Sequence, residues 1–121
     1  MSALFMFFLS TAWASEGIQI RCDYKFMGMD TSSVVVTQNG EGEYSTSAEV
    51  IMQGKSHFES FTVEPAKDDE RLRGWLSKES QQNSIEMVIY KEPQKLGRSK
   101  LTNHHVPIAK DMWGECSETP L

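Results

Sequence analysis

The stretch Ile18-Gln19-Ile20-Arg21-Cys22-Asp23-Tyr24-Lys25-Phe26 alternates without a break. Ile18, Ile20, Cys22, Tyr24 and Phe26 share one parity, and Gln19, Arg21, Asp23 and Lys25 the other. Successive side chains of a strand point to opposite sides, so a period of two describes a strand with one buried and one wet face. A second run repeats the pattern, with Tyr44, Thr46, Ala48, Val50 and Met52 against Glu43, Ser45, Ser47 and Glu49. Two strands of about ten residues each suit a barrel or a strongly curved meander better than a short-stranded sandwich.

The segments around these two runs read the same way. Val34 to Thr37 is β-branched and leads to Gln38-Asn39-Gly40, whose Asn-Gly step predicts a hairpin. Gln53-Gly54-Lys55-Ser56 predicts the next turn, and in His57 to Glu64 a parity switch between Phe58 and the pair Phe61 and Val63 predicts a bulge. Pro65 to Glu70 reads as a charged, solvated loop, with one helical turn at Asp68 to Glu70 as the limit of helical structure. Arg71 to Ser77 puts Leu72, Gly74 and Leu76 on one face and Arg71, Arg73 and Trp75 on the other; Lys78 to Asn83 is a polar turn. Ile85, Met87 and Ile89 alternate with Glu86, Val88 and Tyr90. Pro93 to Arg98 is a loop, and Ser99 to Val106 and Asp111 to Ser117 complete the set. These segments amount to about eight strands, and no stretch keeps a 3.6-residue apolar period over three turns. The chain is therefore expected to be all-β, a single-domain antiparallel meander.

Cys22 lies on the inward parity of the first strand, and Cys116 shares parity with Met112 and Gly114 in the last. A disulfide needs Cα atoms within about 7 Å. If the two pair, the first and last strands meet and the meander becomes a closed or nearly closed eight-stranded barrel with one disulfide. The inward Tyr24, Phe26, Tyr44, Met52, Met87 and Ile89 are large enough to fill such an interior.

The leader Met1 to Ala14, MSALFMFFLSTAWA, carries no charge and ends in the small-x-small step Ala12-Trp13-Ala14. It reads as a signal peptide cleaved after Ala14, leaving residues 15–121 as one domain, although no Lys or Arg precedes the apolar run. A membrane-spanning helix needs about 20 apolar residues, which no segment supplies. Together with an even cysteine count this predicts a secreted or periplasmic protein.

The 121 residues carry 12 Lys+Arg against 17 Asp+Glu, a net charge of -5, with 39% hydrophobic and 24% charged residues. That composition supports a packed core and argues against a dedicated nucleic-acid binder, which would cluster cations to neutralise phosphates. No C-x-x-C, H-x-H, H-E-x-x-H, G-x-S-x-G or phosphate-cradling glycine loop occurs. His104 and His105 would face opposite sides of a strand, and the remaining histidine, His57, is distant in sequence. No cofactor, metal or catalytic role is therefore expected. The candidates for a binding surface are the soft Met27-Gly28-Met29 segment, the outward Trp75 and Trp113, and Arg71 and Arg73 beside Trp75.

In outline, a signal peptide, a small β-meander and one disulfide near the chain ends resemble periplasmic lysozyme inhibitors of the small β-barrel type. Their inhibitory loop motif is not found here, so no residue role carries over. The resulting expectation is a non-enzymatic exported barrel that binds a macromolecule. An inhibitor with this net charge would favour a basic protein as partner. The alternative is a lipocalin-like carrier of a small apolar ligand, and an enzyme with dispersed residues is the third possibility.

Overall fold

The computed structural model describes residues 16–26, 29–78, 81–91, 98–104 and 111–121. The leader with its cleavage step, Met27, His105 and the loop at 92–97 lie outside them, as do the side chains of Phe26 and Met29. Eight strands follow in chain order: β1 (Ile18–Phe26), β2 (Met29–Gln38), β3 (Ser47–Met52), β4 (Lys55–Glu64), β5 (Glu70–Lys78), β6 (Gln81–Tyr90), β7 (Arg98–Asn103) and β8 (Asp111–Pro120). Each pairs antiparallel with the next and β8 returns to β1, so the sheet is a closed barrel without an open edge. Among the described residues there is no helix, and so none long and apolar enough to cross a membrane.

Closure brings Cys22 directly opposite Cys116 in the β1–β8 ladder, and the two form a disulfide. The bond encloses a sequence separation of 94 residues. The chain-entropy model assigns such a loop about 4 to 5 kcal/mol.

The inward parity builds one core from every strand but β8, whose Met112 and Cys116 pack against it. Tyr24, Ile20, Leu72, Met87 and Ile89 are essentially sealed from solvent. Two inward glycines let rings enter: a Cβ at Gly114 would lie 2.7 Å from the Tyr24 ring, and one at Gly74 would lie 2.5 Å from the Phe61 ring. Small residues opposite aromatic ones are how an eight-stranded barrel fills its interior. The buried Tyr24 hydroxyl donates to Ser99 Oγ at 2.7 Å, and Ser99 in turn donates to the Val88 carbonyl at 2.7 Å. Burial holds the Tyr24 phenol well above its ordinary range, so it stays a neutral donor.

Several local expectations change. The Tyr44–Met52 run is not one long strand: β3 begins at Ser47, and Tyr44 makes an isolated bridge to Gln38. Asn39-Gly40 is not a tight turn either. Asn39 Oδ1 accepts from the amides of Glu41 and Glu43, at 2.9 Å each, and opens a longer loop with Gly42 at φ 88°. The tight turn is Gln53-Gly54, where φ values of 51° and 77° give the mirror-image geometry that matches strand twist. Met52, expected inside, is exposed beside that turn. β4 keeps an unbroken register, so the parity switch marks no bulge; Phe58 simply points outward and is 74% exposed. Register shifts lie elsewhere, at Tyr24–Lys25 against β2 and at Leu76–Lys78 against β6, and the one that re-aims charged side chains is the bulge in β5 between Glu70 and Leu72. It places Glu70 on the outer face, where it is buried rather than solvated, while Asp68 and Asp69 form an exposed turn rather than a helical one.

Candidate functional site

The barrel register converts outward residues of separate strands into rows. One row reads Arg73, Val88, Lys100, Trp113 and Lys25, each opposite the next in the ladders. The neighbouring row reads Arg98, Glu115, Asp23, Ser33 and Ile51. Between these rows an open groove of about 960 Å³ runs from Trp113 toward the Gln53-Gly54 turn.

Trp113 is 36% exposed at one end of this groove. Tyr90 stacks on it with ring centroids 5.8 Å apart and planes 22° from parallel. The Arg98 guanidinium lies 4.8 Å from the Trp113 centroid and the Lys100 ammonium 6.0 Å, both within cation–π range. Lys25 is the cross-strand neighbour on the other side. None of Arg98, Lys100 and Lys25 forms an ion pair among the described residues.

The floor of the groove is polar and internally bonded. Asp23 accepts from Ser33 Oγ and, at 3.0 Å, from Arg21 Nε, while Arg21 Nη2 donates to Ser33 Oγ at 3.3 Å. The Ser33 hydrogen bond, helped by Arg21, holds the Asp23 carboxyl below its ordinary range against a small opposing effect of burial.

The other expected site residues fall elsewhere. Arg73 and Trp75 do share the outer face of β5, yet Arg73 is committed. Its Nε and Nη2 hold both oxygens of Glu70 at 2.9 and 2.8 Å, and Nη1 meets Glu86. These bonds, the largest influence, lower the Glu70 carboxyl and raise the Arg73 guanidinium from their ordinary ranges. The His104 ring lies 5.3 Å from Trp75, with Nε2 3.2 Å from Glu86 Oε1. The Trp75 indole nitrogen is covered and has no acceptor. Arg71 does not stay beside Trp75: it is the extra residue of the β5 bulge, and its side chain pairs with Glu118 on β8. A bulge re-aims side chains in this way. Met29 begins β2, and Met27 lies outside the described residues.

The expected surface therefore splits in two, and the half around Trp113 gathers residues that sequence reasoning missed. Arg98 and Lys100 alternate with the buried Ser99 and Leu101, so their outward parity was readable; their place beside Trp113 depends on the β7–β8 register. The described residues hold no group of three or more His, Cys, Asp or Glu arranged for a metal ion. No protein-family model, curated protein or solved structure matches the chain.

Proposed function

We propose that the chain is an exported, non-enzymatic β-barrel that binds a macromolecular partner, in the cell envelope or outside, through the outer face centred on Trp113. The observation that carries this reading is the partly exposed Trp113, held by Tyr90 on rigid strands among three cations that have no ion-pair partner among the described residues, at the end of an open groove. Aromatic and arginine side chains fixed in place offer contact area at little entropic cost, which is why they dominate binding surfaces. The sealed interior, filled by Tyr24, Leu72, Met87 and Ile89, favours this outer face over a carrier that would hold an apolar ligand inside. The charge-free leader supports export, and the Cys22–Cys116 disulfide is compatible with an oxidising compartment.

The test is a pull-down from envelope and extracellular fractions with the purified, disulfide-bonded protein and its Trp113→Ala and Trp75→Phe variants. A partner retained by the parent and by Trp75→Phe but lost from Trp113→Ala is expected. A partner retained by Trp113→Ala would move the binding face elsewhere. An apolar compound co-purifying from the native host, with no protein partner, would replace this reading by the carrier.

A further inference from the structure

We propose that the groove at Trp113 takes an acidic segment of the partner protein, with the partner's carboxylates meeting Arg98, Lys100 and Lys25. This rests on the reading of the Trp113 face as the binding face.

The chain has four arginines. Arg21 is bonded to Asp23, Arg71 to Glu118, and Arg73 to Glu70 and Glu86. Arg98 has no carboxylate among the described residues and lies against an aromatic ring instead. Glu115 is its cross-strand neighbour and still forms no ion pair with it. A guanidinium parked on an indole keeps its planar fork of donors pointed outward, the arrangement that receives a carboxylate in bidentate fashion. Lys100 and Lys25 flank the same ring, so three cations converge in a protein whose overall charge is -5. Such a local reversal of sign is a recognition signal, because it excludes like-charged partners at that spot and fixes the register of an oppositely charged one.

The rest of the groove selects the form of the acidic partner. Asp23 and Glu115 line it too, so a chain with a charge at every step, such as a nucleic acid, would meet repulsion along its length. A peptide avoids this by setting its carboxylates at the Trp113 end and its neutral residues over Ser33 and Ile51.

The test titrates an acidic-end peptide, three glutamates followed by three serines, into the purified, disulfide-bonded protein, read by calorimetry and tryptophan emission. Binding is expected at low ionic strength and is expected to weaken several-fold at physiological ionic strength. The Arg98→Ala/Lys100→Ala variant should lose at least roughly tenfold in affinity. Neither side chain has an ion pair among the described residues to lose, and circular dichroism checks that the variant folds. A hexalysine peptide should not compete. The inference is overturned by absent binding of the acidic-end peptide at low ionic strength, or by equal affinity of the double variant. It is overturned equally by tighter binding of an oligonucleotide or of anionic vesicles at the same residues. A pull-down partner lost with Trp113→Ala while the acidic-end peptide fails would sink this inference alone; a partner kept by Trp113→Ala would sink the functional reading beneath it.

Discussion

Trp75 and Trp113 both stand on the outer surface of the barrel beside an arginine, and the two surroundings work in opposite ways. Around Trp75 the charges are closed on one another: Arg73 joins Glu70 to Glu86, Glu86 reaches His104, and the His104 ring covers the indole. Around Trp113 the rings are likewise stacked, but among the described residues Arg98, Lys100 and Lys25 form no ion pair with a carboxylate. The first cluster spends its charges inside the molecule and stabilises a bulged strand. The second keeps its charges for something outside it. Proximity of tryptophan and arginine in sequence does not separate the two cases; the location of the acidic partners does.

The largest expected contrast comes from removing each arginine. Arg73→Met strands the buried Glu70 carboxylate and is expected to cost about 3 kcal/mol in urea unfolding, whereas Arg98→Met should stay within about 0.5 kcal/mol. A similar loss from both would erase the distinction. Truncating the rings comes next: Trp75→Ala should destabilise by about 2 to 3 kcal/mol and the more exposed Trp113→Ala by about 1 kcal/mol.

Acid should then sharpen the contrast. Glu70 titrates below its ordinary range in the folded protein, so its contribution is present above the ordinary carboxylate range and is lost as pH falls through the depressed value. Melting temperatures followed from neutral to acid pH should fall less steeply in Glu70→Gln than in the parent, and a parallel fall would remove Glu70 from the account. The smallest effect is optical. Iodide should quench the emission of Trp75→Phe more steeply than that of Trp113→Phe, since the cations draw the anion to Trp113; residues 15–121 hold no other tryptophan, so the difference isolates the two rings.

The barrel itself was legible because its signals are local or covalent. The alternation of Ile18 to Phe26 and of Leu72 to Leu76 reports facing directly, and two inward cysteines at the ends of a meander constrain how it closes. What escaped depends on register. The Phe58 switch resembled a bulge because an exposed aromatic residue and an irregular strand leave the same trace in sequence. The bulge at Arg71 left none, since Glu70 reads as the end of a charged loop and Arg71 as the first residue of a regularly alternating strand. Glu70 lies in an acidic run and looked solvated; only the approach of Arg73, three residues on, makes its burial affordable. The Trp113 site needed four strands, β6, β7, β8 and β1, brought side by side, which no single segment records.

The position of the disulfide has a mechanical consequence. β1 and β8 are antiparallel, so the strand ends at Ile18 and Pro120 lie together at one pole. A load applied there would peel the ladder one rung at a time rather than shear it. Only the rungs from Ile18–Pro120 through Arg21–Ser117 precede Cys22–Cys116. Beyond them the pull meets a covalent stop, and the chain between the cysteines carries no tension. Stretched between these points, the oxidised barrel should yield a few residues of slack and then hold until the sulfur–sulfur bond breaks, while the reduced barrel should unravel through its whole length.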